Sequence, residues 1–281
     1  MKLIRTKGRG AREAASTIAA LERRGGAALD AVQPAVKRIV AAVRNRGDRA
    51  LLRYAAEFDG LKDESQLRVT TDEMAAAWKA IDPLLRTSLI TAATQIRVFA
   101  HWQLPVSWEK SSIEGLTTAQ LVRPLGSVGC YVPSGRHPLP STLLMTVIPA
   151  LVAGVRRIVV VSPRPAQETL AAAHLLGMPE FWGIRGKDDQ QSHSFGQPWV
   201  PEFYRLGGAH AVGALAYGTA SVARVDKIVG PGNLYVTAAK RLVAFDCAID
   251  MLAGPSSATM PRPRPRERSS RSALCCAIPA G

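Results

Sequence analysis

The stretch "VGPGN", Val229 to Asn233, has the residue types of a loop that binds an anion at the start of a helix. It stands between an apolar strand-like run and the helix-like run "LYVTAAKRLV". Gly230 and Gly232 permit a tight turn and close approach of a ligand to the backbone, and Asn233 can cap the helix. Because the spacing is not GxGxxG, a plain strand-to-helix turn explains the stretch equally well at this point.

Two more Gly-rich turns stand between a strand and a helix, "GCYVPSGRHPLPST" at 129–142 and "GGAHA" at 207–211. Tyr131 ends the first strand, where its ring can lie against a nucleotide ring; the alternative is a rigid surface turn with a packed Tyr131. His210 falls in the first turn of a helix, where it can contact a ligand; the alternative is a solvated histidine. Parallel strands end at one edge of their sheet, so the three turns together predict one ligand crevice.

Other catalytic chemistry lacks a sequence signature. The histidines show no HExxH or similar metal-ligand spacing; they are His101, His137, His174, His193 and His210. The GxSxG and Walker A motifs do not occur in the sequence. The cysteines form no CxxC pair, and we expect them to be reduced, with Cys130 and Cys247 partly buried.

The order of the predicted elements indicates the fold class. Up to residue 124 the periodicity is mainly helical, with helices predicted over 30–45, 48–58, 71–79 and 83–101 and strands near "QLRVT" and "TAQLVRPL". From Gly126 onward, short β-branched runs alternate with helical runs, one of them opened by Ser141. This alternation predicts an α/β fold with a parallel, doubly wound sheet that follows a mainly helical N-terminal part.

An insertion interrupts this order at about 182–203, between the near-copies "MPEF" and "VPEFY". The stretch is polar and Gly-rich and lacks periodicity, and structureless connections of this length are uncommon in compact domains. We interpret it as an insertion carried as a surface loop, since long surface insertions cost little. The alternative is a lid or a partner-binding loop.

The net charge of +14 over 281 residues is high enough to suggest a nucleic-acid partner. The distribution argues against one, because much of the charge lies in a Pro/Arg segment after Ser256 and the rest is scattered without an aromatic-interleaved basic stripe. No apolar h-region follows "MKLIRTKGRG", and no apolar run is long enough to cross a membrane. We therefore expect a cytoplasmic protein without membrane or nucleic-acid partners.

Several long motifs, in order, resemble the histidinol dehydrogenase family. They are "RGDRALLRYAAEFDG", "LGSVGCYVPSGRHPLPSTLLMTVIPALVAGV", "FYRLGGAHAVGALAYGT", "VDKIVGPGNLYVTAAKR" and "AIDMLAGPS". The resemblance implies a homodimeric, zinc-containing enzyme that oxidises L-histidinol through L-histidinaldehyde to L-histidine with NAD, in histidine biosynthesis. It also implies a Rossmann-like cofactor domain inserted into a larger α/β domain.

The resemblance places the NAD contacts on Tyr131, His210 and Asn233 and a substrate contact on Ser256. His210 departs from the family, which has Gln at this position, so the resemblance does not decide whether His210 contacts NAD. The family's zinc ligands and its catalytic Glu–His pair come after the equivalent of Ser256, where this chain has Pro and Arg instead. We therefore assign no catalytic residue and no metal ligand, and we expect this chain to be truncated or frameshifted and inactive, with a doubtful dimer.

Three parts are predicted on this basis. Residues 1–124 would form the N-terminal part of the larger domain, 125–255 the Rossmann-like NAD-binding domain, and 256–281 a disordered tail unrelated to the family. Apolar faces of the N-terminal helices would then lack cover. The alternative functions are a non-catalytic nucleotide-binding remnant and, less favoured, a basic protein that interacts with nucleic acid.

Overall fold

The computed structural model describes residues 8–135, 137–182, 199 and 202–252. Glu22–Gly254 form one compact unit. The other unit has residues 8–21 described, which comprise a short 3-10 helix over Gly8–Gly10 and the first turns of α1. Ser256, the predicted tail over 256–281 and all of the insertion except Trp182, Trp199 and 202–203 lie outside the described residues.

Four helices make up the N-terminal part: α1 (Ala11–Arg46), α2 (Asp48–Tyr54), α3 (Thr71–Ala80) and α4 (Pro83–Trp102). Side-chain caps set the starts of α3 and α4. Thr70 and Glu73 form a reciprocal capping box on α3. Asp82 accepts a hydrogen bond from the Leu84 amide at the start of α4. These helices confirm the predicted positions, although α1 begins well before residue 30 and α2 gives way to a π-helical turn over Ala55–Asp59.

An antiparallel hairpin of β1 (Trp108–Ile113) and β2 (Leu116–Gln120) follows α4. Every residue of both strands is exposed. The sequence predicted a strand at β2 but none at β1, because "WEKSSI" lacks an apolar alternation that would mark a buried face. The other strand prediction, "QLRVT", is wrong: that segment makes a single bridge, from Arg68 to Tyr204.

A five-stranded sheet forms the centre of the described chain. Its strands are β3 (Ser127–Tyr131), β4 (Arg157–Val161), β5 (Glu202–Tyr204), β6 (Lys227–Val229) and β7 (Ala248–Ile249). All neighbours are parallel, in the spatial order β5-β4-β3-β6-β7. The helices between them are α5 (Pro140–Val152), α6 (Gln167–Gly177), α7 (Gly208–Tyr217) and α8 (Leu234–Val243).

The strand order reverses between β3 and β6. The chain adds β4 and β5 on one side of β3, then returns to add β6 and β7 on the other. This is the doubly wound arrangement that the sequence predicted, and a crevice opens at the carboxyl ends of the two strands where the order reverses. One detail differs from prediction: α5 begins at Pro140, whose fixed φ suits the first helical position, rather than at Ser141.

Two apolar cores lie on opposite faces of the sheet, because alternate strand residues point to opposite sides. Val128, Cys130, Ile158 and Val160 pack with α3 to α6 on one face. Tyr131, Val159 and Val161 pack with α1, α2, α7 and α8 on the other. Helix α1 buries an apolar side through Val36, Val40 and Val43. The expectation that apolar faces of the N-terminal helices lack cover is therefore wrong for α1, but it is confirmed for α4, where Leu84, Phe99 and Trp102 are 76%, 57% and 78% exposed. The domain boundary at 124/125 stays a prediction.

The two described ends of the insertion are anchored in the core. Trp182 and Trp199 are buried, and their indole N–H groups donate to the carbonyls of Leu176 and Ile158, both at 2.9 Å. The surface-loop interpretation is therefore wrong for these two residues, because a buried indole with a satisfied N–H contributes to packing. Among the described residues, no helix is both long and apolar enough to span a bilayer.

Arg157, at the start of β4, ties three segments together. Its guanidinium donates to the Glu202 carboxylate of β5 at 3.0–3.2 Å and to the carbonyls of Ala223 and Arg224 at 3.1 and 2.9 Å. We expect Arg157→Ala to lower the free energy of unfolding by about 1–2 kcal/mol, less than a buried pair would because the side chain is 28% exposed. Arg156→Ala, at the exposed neighbouring residue, is the control, and chemical denaturation measures both variants. If both lowered the free energy of unfolding equally, the hydrogen bonds of Arg157 would not be what stabilises the fold.

Candidate functional site

A pocket of about 690 Å³ opens at the carboxyl edge of the sheet, where the strand order reverses. The turns after β3, β4 and β6, the start of α7 and parts of the N-terminal helices enclose it. Its lining residues are Ala35, Ile39, Phe58, Asp59, Tyr131, Pro133, Ser134, Gly135, Pro163, Arg164, Gly208, Ala209, His210, Asn233 and Tyr235. The pocket brings together Tyr131, His210 and Asn233, three of the four predicted site residues; Ser256 lies outside the described residues.

Tyr131 is the last residue of β3, and it is 2% exposed. Its hydroxyl accepts a hydrogen bond from the Gly208 amide at 3.1 Å, across from the turn that begins α7. Burial raises the pKa of Tyr131 to about 12, with the charge of Asp59 adding to the effect. The phenol is therefore neutral at physiological pH, and it holds the α7 turn as well as lining the pocket.

We expect Tyr131→Phe to lower the free energy of unfolding by about 1 kcal/mol near neutral pH, because the Gly208 amide loses its acceptor. A folded-state pKa of about 12 against an unfolded value of 10 means that the wild-type tyrosine stabilises the fold fully below pH 10. That contribution is lost as the pH rises through 12. Chemical denaturation from pH 7 to 11.5 should therefore show the variant losing less stability at the alkaline end. If the free energies of unfolding of the wild type and of Tyr131→Phe changed with pH in parallel, the Tyr131 phenol would not be held neutral by burial in the folded state.

His210, in the first turn of α7, is 1% exposed, so the alternative of a solvated histidine is wrong. Its Nε2 lies 2.8 Å from Oδ2 of Asp59, and the same carboxylate oxygen accepts from the Gly207 amide at 2.8 Å. The Nδ1 atom of His210 is buried without a hydrogen-bond partner in the described chain. The imidazole therefore faces the pocket while one of its nitrogens is held by Asp59.

Asp59 is a residue that the sequence reasoning missed. It lies at the end of the π-helical turn after α2, followed by Gly60 with φ of 74°. The stretch "FDGL" predicted a turn, and it carried no sign that its carboxylate would reach a residue 151 positions later. The signal that could have found it is an acidic residue next to a glycine at a helix end. Gly207 allows the approach of this carboxylate, since a Cβ there would lie 2.9 Å from Oδ1 of Asp59 and 2.5 Å from Cβ of Pro163.

Asn233 caps α8 as predicted. Its Oδ1 accepts from the amides of Tyr235 and Val236 at 3.0 and 3.1 Å, and the residue is exposed at the pocket rim. Its Nδ2 group therefore remains the donor that it can offer to a ligand. Gly230 has φ of 107°, and a Cβ there would lie 2.1 Å from the carbonyl oxygen of Tyr131, so the "GPGN" turn packs directly on β3.

A buried ion pair holds the "GPGN" turn from the side away from the pocket. Lys240 of α8 is 3% exposed, and its Nζ donates to the Gly230 carbonyl at 2.5 Å and to Oδ1 of Asp250 at 2.7 Å. Oδ2 of Asp250 accepts from the Gly230 amide at 2.8 Å. Burial alone would raise the pKa of Asp250, but hydrogen bonds from Lys240, Met251 and Gly230 hold it below the ordinary value. Sequence reasoning missed this pair, since scattered lysines and aspartates look like surface charges.

The arrangement suits binding of a mixed aromatic and polar ligand better than bond cleavage by side chains. The described lining combines flat apolar surfaces from Phe58 and the prolines with few polar groups. Asp59 supplies a carboxylate to the described lining, and this carboxylate is already hydrogen-bonded to the His210 imidazole and to the Gly207 amide. Among the described lining residues there is no thiol and no hydroxyl paired with a base, and burial raises the pKa of the nearby Cys130 thiol to about 12, which leaves it inert.

Sequence comparison finds a matching family model described as histidinol dehydrogenase, over residues 22–260. A histidinol dehydrogenase of Syntrophotalea carbinolica is 42% identical over 246 residues, which is 86% of this chain and 52% of that protein. One of Geobacillus kaustophilus is 45% identical over 222 residues, which is 79% of this chain and 48% of that protein. The chain thus spans about half the length of the curated relatives that it matches.

Structure comparison agrees with the sequence match. The crystal structure of histidinol dehydrogenase from Elizabethkingia anophelis superimposes with a TM-score of 0.66 at 33% identity, covering 80% of this chain and 48% of that one. The range that matches the family model, 22–260, includes the strands β3 to β7 and the turns after β3, β4 and β6. On these grounds, the chain belongs to the histidinol dehydrogenase family.

Proposed function

We propose that this chain contains the dinucleotide-binding domain of a histidinol dehydrogenase, over 125–255, and that it binds NAD in the pocket over β3 and β6. The reaction proposed for the whole protein is the oxidation of L-histidinol through L-histidinaldehyde to L-histidine, for which NAD would supply the hydride acceptor. The observation that carries the proposal is the convergence of Tyr131, His210 and Asn233 on one pocket where the strand order reverses.

The roles of these residues follow from their contacts. Asn233 offers its Nδ2 group at the rim while its Oδ1 keeps the α8 amides in order. Tyr131 forms part of the floor and fixes the α7 turn through the Gly208 amide. The apolar rings and prolines shield a bound nucleotide from water, which strengthens the few polar contacts. His210 stands where the family has Gln, and its bond to Asp59 turns it toward positioning rather than cofactor contact.

Zinc, which the family resemblance implies, does not fit the described residues. No three His, Cys, Asp or Glu side chains among them lie close enough to hold a metal ion. The two candidate ligands of the pocket, Asp59 and His210, are bonded to each other. The proposal therefore contains no step through zinc, and the Ser256 substrate contact stays a prediction.

Isothermal titration with NAD tests the binding proposal. Asn233→Asp keeps an oxygen that can cap α8 but replaces the amide donor with a negative charge at the rim, so we expect NAD affinity to fall about tenfold or more with the fold intact. Asp82→Asn makes the reverse exchange at the cap of α4, outside the pocket, and should leave NAD affinity unchanged. Absence of NAD binding by the wild-type chain at millimolar cofactor would overturn the proposal.

Turnover is a separate measurement. We expect the 281-residue chain to form no NADH from L-histidinol, because the Glu–His pair and the zinc ligands that the family resemblance implies have no counterpart in this sequence. Sustained NADH formation by the purified chain, abolished in Asn233→Asp, would contradict the inactivity while supporting the cofactor site.

A further inference from the structure

Helix α5 is apolar on two sides, and only one of them is buried. Its sequence, "PSTLLMTVIPALV", contains no charged residue. The buried side packs into the core through Leu143, Leu144, Val147, Ile148 and Leu151. The second side has the spacing of a single helix face and consists of Thr142, Met145, Thr146, Pro149, Ala150 and Ala153. Because a helix that is apolar all round belongs in a protein interior, we expect this second side to be covered as well.

The second side of α5 lines an open groove of about 490 Å³. The rest of the lining comes from β3, β6, the turn after β6 and three further positions, and comprises Val128, Lys227, Val229, Gly230, Pro231, Leu125, Val155 and Asp250. Thr146 adds little polarity, since its hydroxyl donates to the Thr142 carbonyl at 2.8 Å within α5. Met145 is 63% exposed in the groove. The surface is therefore mainly apolar and open to a partner.

The groove lies where one face of the sheet lacks cover. On this face, the described core takes buried strand residues from β3, β4 and β5, whereas β6 adds the partly buried Val229 and β7 adds none. On the opposite face, Ile228 of β6 and Ile249 of β7 both belong to the core that includes α7 and α8. Parallel sheets are normally covered by helices on both faces. The side of β6 and β7 next to α5 is thus where a further helix would pack.

Size and position indicate which polypeptide supplies that helix. The groove fits one face of a helix, whereas a stable dimer buries about 800 Å² of each partner over a broad surface. The described chain leaves β7 beside the groove, since Asp250 follows β7 and lines it. The curated relatives are about twice as long as the part that this chain matches. A segment of their unmatched half therefore suits the groove better than a second copy of this chain does.

Lys227 sets the charge that such a helix should carry. The other charged residue of the lining, Asp250, is already paired with Lys240 at 2.7 Å. Lys227 makes no ion pair with a carboxylate in the described part of the chain. An acidic residue beside the apolar stripe of the incoming helix would pair with Lys227 and fix the orientation of the helix.

We propose that this groove docks an amphipathic helix from the half of histidinol dehydrogenase that the present chain does not span. The helix would place apolar side chains at i, i+3, i+4 and i+7 against Met145 and Pro149 and an acidic residue beside Lys227. It would also rest on Gly230, which supports the "GPGN" turn from the side away from the nucleotide pocket. The inference does not depend on NAD binding, because the two surfaces are separate.

Thiol labelling at position 145 tests the proposal. In Met145→Cys, a maleimide should label the new thiol readily, because the native side chain is exposed. Co-expression with the unmatched half of the Geobacillus kaustophilus enzyme should slow this labelling by about tenfold or more. Phe245→Cys, at a fully exposed residue outside the groove, is the matched control and should react equally fast in both samples. Peptide mass spectrometry separates these labels from those on the four native cysteines.

A charge variant checks the same surface without labelling. Met145→Asp should abolish co-purification of the two halves, and Phe245→Asp should leave it intact. If Met145→Asp retains the partner half as well as Phe245→Asp does, the groove is not the docking site.

The labelling rates decide the remaining outcomes. If the separate half is insoluble or does not co-purify, a single polypeptide that joins it behind Leu252 takes its place in the labelling experiment. Protection of position 145 in either format supports the proposal, and unchanged labelling in both overturns it. Protection in the 281-residue chain alone that rises with its concentration would assign the groove to a second copy, which also overturns the proposal.

Discussion

Replacement of Lys240 by Met is expected to lower the free energy of unfolding by about 3 kcal/mol, one of the largest effects of any single change near the pocket. The Nζ atom of Lys240 is the partner of Oδ1 of Asp250 and of the Gly230 carbonyl. The variant leaves a carboxylate and a carbonyl without their donor at a site where the lysine is 3% exposed. We place the effect at the lower end for a broken buried pair, because the Asp250 side chain is 24% exposed.

The same change should loosen the "GPGN" turn. Gly230 is held on both sides, by Lys240 through its carbonyl and by Asp250 through its amide. Once the turn moves, Asn233 no longer caps α8 in its present position at the pocket rim. We therefore expect NAD affinity to fall together with stability. Chemical denaturation and NAD titration measure the two effects on the same protein sample.

Arg241→Met provides the matched control, one residue further along α8. Arg241 is 47% exposed and pairs with Asp30 at 3.4 Å, so its loss should change the free energy of unfolding by less than about 0.5 kcal/mol. The double variant Lys240→Met with Asp250→Leu should recover part of the lost stability, because it removes the orphaned charge. Equal effects of Lys240→Met and Arg241→Met would show that the buried pair does not hold the turn.

The pH dependence gives a further check. The pKa of Asp250 is lowered in the folded state from its ordinary value of 3.8. The stability that the ionised carboxylate contributes is therefore present above that value and lost as the pH falls through the folded-state pKa. The difference between wild type and Asp250→Asn should shrink in acid below about pH 4 and stay constant from pH 5 to 8. If the difference in free energy of unfolding grew as the pH fell, the pKa of Asp250 would be raised in the folded state and not lowered.

The sequence predicts the fold well where periodicity and turn residues agree. The strand β4 is an apolar β-branched run, and β3 and β6 are short, mainly apolar runs next to a glycine; each is found where the pattern placed it. The pocket was predictable because parallel strands must end at one edge, which puts Tyr131, His210 and Asn233 together once the fold class is known.

The polar partners of those residues were not predictable. The carboxylate of Asp59 reaches His210 from a helix 151 residues earlier in the chain, and no local pattern encodes such a contact. The cover of α1 was missed for a related reason, because a helix periodicity gives an apolar face but not the element that packs on it.

Asp59→Ala is expected to lower the free energy of unfolding by about 3 kcal/mol or more. It removes one acceptor from two buried donors, the imidazole Nε2 of His210 and the amide of Gly207. The Gly207 amide stands at the start of α7, so the turn that also binds the Tyr131 hydroxyl should lose order. Asp59→Asn keeps an acceptor oxygen of similar shape and should cost less than half as much. Asp63→Ala, at an exposed carboxylate on the same loop, is the control.

His210→Gln then separates the two roles open to the imidazole. If His210 serves through Asp59, the exchange to the family residue keeps an N–H donor for Asp59 and leaves the second N–H and the carbonyl oxygen of the same amide for a ligand in the pocket. Stability should then stay within about 1 kcal/mol of wild type while NAD affinity rises about fivefold, the equivalent of one added hydrogen bond. A fivefold loss of NAD affinity at unchanged stability would instead mean that the imidazole itself contacts the cofactor. In both cases, Asp59→Ala should weaken NAD binding, because the carboxylate orients whichever side chain occupies position 210.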